Sequence, residues 1–152
     1  MGCRKAGDIA FQRALVEKTR AAGIHPRVIF MGEVSADRMP VLMQGLALLV
    51  AAPRYEGFGI TPLEAMACGI PVVASRTGAF ADMIEEGVTG HIVPVGDVVA
   101  LTRAIASVLD DPAARQRMGT LARERTVRQF SADREVEGIA GVYERLWGGE
   151  RF

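Results

Sequence analysis

"YEGFGITPLEAMACGIPVVAS", residues Tyr55 to Ser75, is the stretch on which the reading of this chain turns. Two carboxylates, Glu56 and Glu64, stand eight positions apart around a glycine-rich turn, and an apolar run closes the stretch. Thr61 has the chemistry of a helix N-cap, Pro62 suits the first helical position, and Glu64 follows the cap by three residues. The spacing therefore predicts a capping box and a short helix from Pro62 to Cys68. Its first free N–H groups face the space around Gly57, Phe58 and Gly59. Helix N-termini carry roughly half a positive charge and bind anions such as phosphate. Glycines let a backbone approach a ligand closely. Taken alone, Glu64 reads equally as a cap or as a ligand-holding group. Glu56, in a stretch otherwise uncharged up to Glu64, points to a phosphate-bearing or polyhydroxyl ligand, with bonds to turn amides as the plainer use.

On either side the chain alternates helical periodicity with short apolar runs. "DIAFQRALVEKTRAAG" has helical spacing, Asp8 as a candidate cap and Gly23 as a stop, and "RVIFMG" after it reads as a strand. A short helix around Pro40 to Gln44 precedes the strand-like "LALLV". "PVVAS" and "HIVPV" follow as further strands. Unbroken apolar strands separated by helices call for a parallel sheet covered on both faces, an α/β layer architecture. Ligands in open sheets of this kind gather beyond the carboxyl ends of the strands, where the Glu56 turn should lie. "VVALTRAIASVL", "PAARQRMGTLARERTVRQF" and "ADREVEGIAGVYERLW" read as three closing helices, with Asp110-Asp111 before Pro112 as a helix start. The Gly148-Gly149 tail is expected to fray.

A length of 152 residues with 49% hydrophobic content predicts one globular domain. Eighteen basic and eighteen acidic residues balance, which gives no overall pull toward nucleic acid, and no nucleic-acid partner is expected. Cys3 and Cys68 are too few and too far apart for a disulfide framework or a zinc site, which fits a cytoplasmic location. Apolar runs such as the one from Leu46 fall short of the ~18 to 20 residues of a membrane span. Arg115, Arg117, Arg123, Arg125, Arg128 and Arg134 are opposed within their stretch only by Glu124 and Asp133. A solvated helix face is the expected use, with a weak peripheral contact at the inner face of a membrane as the alternative. His25 and His91 read as structural, and Cys68 as a small buried apolar residue.

The motif "EGFGITPLE" followed by "AMACGIPVVAS" resembles the glutamate-x7-glutamate signature of the retaining, group 1 glycosyltransferases. The similarity extends through "RVIFMGEVSADRMPVLMQG" upstream and "TGAFADMIEEGVTGHIVPVGDVVALTRAIASVLDDP" downstream, nearly the whole chain. It implies the donor-binding, C-terminal half of the two-domain GT-B fold, a Rossmann-like parallel sheet flanked by helices. Within the family, "APRYEGFGITPLEAMA" and "TGAF" look closest to lipopolysaccharide-core mannosyltransferases, which implies GDP-mannose as donor substrate and no cofactor or metal.

Carried over by residue, the resemblance makes Glu56 a partner of the transferred sugar's hydroxyls and Glu64 the holder of the ribose diol. The amides of Gly57, Phe58, Gly59 and Ile60 would meet sugar and diphosphate. Gly32, Glu33 and Val34 match the segment that receives the base, and Gly78 matches a glycine of the next strand-exit turn. There Thr77-Gly78-Ala79 replaces the commoner paired glycines. The implied reaction transfers a sugar with retention and uses no side-chain nucleophile, so no residue is assigned as catalytic.

The same resemblance places an acceptor-binding domain ahead of this region, followed by a strand, a Gly-Arg turn and a lysine that grip the diphosphate. "MGCRKAGD" offers Arg4 and Lys5 with no apolar strand before them. Residues 1–152 are thus expected to form a single partial donor domain lacking its first two strands. The family's sheet order places those strands between "RVIFMG" and "LALLV". Their absence leaves two expectations: direct pairing of that couple, or a piece incomplete by itself. The glycan or lipid-linked acceptor would be met by the missing domain. The rival readings are a non-catalytic nucleotide-sugar-binding or assembly fragment, and a sugar-nucleotide epimerase of the same two-domain fold. The full glutamate pair with its cap disfavours the epimerase.

Overall fold

The computed structural model describes residues 6–147. Cys3, Arg4, Lys5 and the Gly148-Gly149 pair lie outside that range. The chain divides into two compact units between Ser35 and Ala36.

The first unit is built on helix α1 (Ala6–Ala21). Asp8 sits inside this helix rather than ahead of it, so it is not the cap that its position before the apolar run suggested. The other end follows the sequence signal. Gly23 adopts φ +68°, its N–H bonds Arg20 O at 2.9 Å, and the Ile24 N–H bonds Thr19 O at 3.0 Å. This paired arrangement is a Schellman stop, and glycine supplies the left-handed residue it requires. His25 opens a 3-10 turn (His25–Arg27), and its Nδ1 lies 3.0 Å from Thr19 Oγ1. Its role is structural.

"RVIFMG" does not form a strand. Residues 28–35 carry neither helix nor ladder, and Ile29 and Met31 are 86% and 57% exposed. An apolar, β-branched run has the propensity for a strand, but a strand exists only when its N–H and C=O groups find a partner. None pairs with it among the described residues.

The second unit runs α2 (Met39–Gln44), β1 (Leu49–Ala51), α3 (Ile60–Ala67), β2 (Val72–Ser75), α4 (Phe80–Met83), β3 (Gly90–Val93), α5 (Val98–Asp110), α6 (Pro112–Gln129) and α7 (Ala132–Trp147). The three strands pair in parallel in the order β1-β2-β3, with Leu49 opposite Val72 and Val72 opposite Gly90. The α/β parallel architecture expected from the alternation is present. The "LALLV" strand is shorter than its apolar run, because the Leu46 N–H still bonds Met43 O and belongs to the end of α2.

β2 is buried at every residue. Successive side chains of a strand point to opposite faces, so each residue of β2 serves one of two cores. Val72 and Ala74 pack with Met66, Phe80, Met83, Ile84 and Ala122 on one face. Val73 packs with Val93 and Val108 on the other, beneath α5. The two long helices start on side-chain caps. Asp97 accepts from the Ala100 N–H and Asp111 from the Ala114 N–H, each at 2.9 Å, and each cap is worth about 1 kcal/mol. Asp111 with Pro112 is the helix start expected from sequence. The His91 Nδ1 lies 2.7 Å from Glu86 Oε1, while Glu86 Oε2 accepts the Ile92 N–H at 2.6 Å, so this histidine too is part of the scaffold. Cys68 is half-buried against the first core.

α6 reaches the sheet by crossing the end of α3 at two glycines. A Cβ on Gly119 would stand 2.1 Å from Gly69 O and 3.0 Å from Gly69 C, both backbone atoms. Gly119→Ala must therefore push the helices apart. Overpacking of this kind costs about 1–3 kcal/mol. In a chain of this size each kcal/mol lowers Tm by about 2–4 °C, so a thermal melt that matches wild type would refute the contact.

No helix among the described residues is long and apolar enough to cross a membrane.

Candidate functional site: the loop between β1 and α3

The sequence places the first-motif glutamate on the exit of β1, and the structure shows what holds that exit. The buried Ser75 at the end of β2 donates its Oγ–H to Pro53 O at 2.6 Å, tying the neighbouring strand ends together. Three residues beyond Pro53, the half-buried Glu56 turns its carboxylate back on the loop, where Oε1 accepts the Gly57 N–H at 3.0 Å.

The capping box is not formed. α3 begins at Ile60, its N-cap is Gly59 at φ +91°, and no side chain caps it. Thr61 and Pro62 therefore lie within the first turn, and Glu64 is a full turn along the exposed surface, at i+4 from Ile60. The cause is steric. Gly59 is buried, and a Cβ there would stand 2.0 Å from Phe80 Cε1. Only glycine fits between that ring and the helix, and its left-handed backbone places the N-cap two residues before Thr61.

This shift leaves the first amides of α3 without a capping partner. The Leu63 N–H bonds Gly59 O at 3.4 Å, and Pro62 has no N–H. The amides of Ile60 and Thr61 make no hydrogen bond among the described residues. They open at the helix end that favours negative charge. Glu64, released from capping, offers its carboxylate outward on the same helix face as Ile60.

A second turn closes against the first. Gly78, at φ +53°, precedes α4, and a Cβ on it would stand 2.3 Å from Glu56 O and 2.6 Å from Gly57 O. The neighbouring Ala79 N–H bonds Gly57 O at 3.3 Å. Thus Glu56, Gly57, Phe58, Gly59, Ile60, Glu64 and Gly78 all belong to one structure, at the carboxyl ends of β1 and β2. Phe58 is half exposed and Ile60 mostly exposed. Gly32, Glu33 and Val34 lie in the first unit, in irregular backbone with Gly32 at φ +69°.

Two cations escaped the sequence reading. Arg54 and Arg76 leave the carboxyl ends of β1 and β2, both exposed and in no ion pair among the described residues. Their positions just beyond two predicted strands were the available signal. Among the described residues, no group of three or more His, Cys, Asp or Glu side chains gathers as a metal site.

The sequence pattern described as "Glycosyl transferases group 1" matches residues 3–125. The chain belongs to this family. Its relatives among the group 1 glycosyl transferases include the lipopolysaccharide core biosynthesis mannosyltransferase LpcC of Rhizobium leguminosarum bv. viciae. The two are 42% identical over 146 residues, 96% of this chain and 41% of the relative. LpsB of Rhizobium meliloti, a mannosyltransferase of the same description, is 39% identical over 140 residues, 91% of this chain and 39% of LpsB. The chain thus spans about two fifths of the length of these curated relatives. Among solved structures, Anabaena HepE in complex with UDP superposes with a TM-score of 0.86 at 27% identity. That match covers 93% of this chain and 38% of HepE. As a group 1 member the chain has the Rossmann-like, helix-flanked sheet of a GT-B glycosyltransferase.

Proposed function

We propose that residues 1–152 are part of the donor-binding half of a retaining sugar transferase that takes its sugar from a nucleoside diphosphate. The observation that carries this reading is the loop from Glu56 to Ile60. It joins a strand end to the N-terminus of α3, with the Gly57 N–H held only by the Glu56 carboxylate, the Ile60 and Thr61 amides unbonded among the described residues, and two carboxylates flanking them. The UDP complex of HepE supports a nucleotide as the ligand. The relatives' names support mannose, hence GDP-mannose, and a lipopolysaccharide-core glycan or lipid-linked acceptor.

In this reading Glu56 accepts from hydroxyls of the transferred sugar and Glu64 from the ribose diol, using charge-assisted bonds. The amides of Gly57, Phe58, Gly59 and Ile60 receive the sugar and diphosphate. Gly78 lines the second turn. The bond from the anomeric carbon to the diphosphate oxygen breaks with its electron pair going to the diphosphate. Charge then grows on the leaving group while the sugar becomes oxocarbenium-like. Fixed N–H dipoles at a helix end oppose that growing charge without reorganising, which is how such a site lowers the barrier. No side chain serves as nucleophile. The acceptor is met by the part of the longer protein outside this chain. A cytoplasmic place, with weak contact at the inner face of the membrane, accompanies an acceptor of this kind.

Calorimetric titration of the chain with GDP-mannose, UDP-glucose, GDP and UDP tests the reading. Saturable binding by one pair is expected, weakened about tenfold in Glu64→Gln, because a neutral amide is a poorer diol partner than a carboxylate. Absence of binding by a folded wild-type chain would show that this part holds no donor site by itself.

A further inference from the structure

Of the six arginines from Arg115 to Arg134 on α6 and the start of α7, five are compatible with a solvated face, but Arg125 is not. Its side chain is only 19% exposed, and its guanidinium reaches from α6 to the far side of α4. Nε donates to Met83 O and Nη2 to Asp82 O, both at 2.8 Å, while Nη1 lies 3.5 Å from Glu85 Oε2. The two carbonyls are among those a helix C-terminus leaves unpaired, and a planar fork of donors satisfies both at once.

What α4 carries at its other end gives this clamp its meaning. α4 is four residues long, too short to hold its own geometry in water. Its first residue, Phe80, is 1% exposed and lies under Gly59 so closely that no Cβ fits there. The residue before it, Ala79, bonds Gly57 O. α4 is therefore a strut with Arg125 fixing one end and the Glu56–Ile60 loop resting on the other.

We infer that Arg125 is a positioning residue: through α4 it sets where the loop amides point, although it lies outside the loop and the turn that face the ligand. The inference rests on the donor-site reading for its functional consequence and on geometry alone for the coupling.

Arg125→Gln removes the fork and keeps a polar side chain. The Gly59 Hα in the direction of a Cβ points at the Phe80 ring, so its NMR shift reports the placement of α4 on the loop without any ligand. In the variant that shift is expected to move toward the value of an unstructured glycine, with the amide shifts of Val72 to Ala74 unchanged. Affinity for the nucleotide that wild type binds should fall about tenfold. Arg125→Lys, which keeps one charged donor, should recover part of both effects, and it decides the matter if the glutamine variant does not fold. An unchanged Gly59 shift would overturn the coupling. A moved shift with unaltered nucleotide affinity would overturn the link to the site. If wild type binds neither UDP nor GDP, the donor-site reading fails, while the Gly59 shift still decides whether Arg125 sets the loop.

Discussion

Gly78→Ala is expected to lower both stability and nucleotide affinity strongly. At φ +53° an alanine pays about 1–2 kcal/mol for its left-handed backbone. Its Cβ must also be placed 2.3 Å from Glu56 O and 2.6 Å from Gly57 O. Gly57 O is already held by the Ala79 N–H, and the Gly57 N–H by the Glu56 carboxylate, so the loop can yield only by breaking its own bonds. Overpacking adds about 1–3 kcal/mol. The sum, roughly 2–5 kcal/mol, should appear as a clear fall in the thermal midpoint. Because the displaced atoms belong to the loop itself, nucleotide binding should weaken at least tenfold at temperatures where the variant is still folded. A folded variant that binds as wild type would separate the Gly78 turn from the site.

Phe80→Ala attacks the same contact from below. Phe80 is the largest of the fully buried side chains and shares its core with Met66, Met83, Ile84 and Ala122. Truncation loses the transfer free energy of the ring and leaves a cavity, for a cost of about 3–5 kcal/mol. Urea denaturation should show a lower midpoint at an unchanged slope, since the surface exposed on unfolding is nearly the same. Phe80→Leu keeps much of the volume and should lose less. Equal losses for the two variants would mean that the ring's shape under Gly59 is of no account.

Much of this organisation was legible in the chain. The unbroken apolar run of β2 announced a strand buried on both faces, and Asp111-Pro112 announced the start of α6, because each signal is local and acts through the residues that carry it. "RVIFMG" misled for the opposite reason: its residues have strand propensity, but a ladder partner is not encoded in the segment itself. The start of α3 was misplaced because Thr61, Pro62 and Glu64 satisfy a capping rule that a distant ring overrides. Phe80 is 21 residues from Gly59, and no spacing near Thr61 reports it. α4 has too few residues to show periodicity, and Arg125 looked like its five neighbours until its two carbonyl partners, more than forty residues earlier, were in view. The positions of Glu56 and Glu64 could be read from sequence, whereas the packing that holds the loop between them could not.

α7 buries none of its residues, and Val136, Ile139, Tyr143, Leu146 and Trp147 are all more than half exposed. The free energy needed to open a segment follows from what the opening uncovers. Peeling α7 away from the second unit wets almost nothing that is dry, whereas β2 cannot open without wetting both cores. The second unit therefore has a gradient of resistance along the chain. Its C-terminal helix is expected to open first, and limited proteolysis should cut there before it reaches the strands beneath the Glu56 loop.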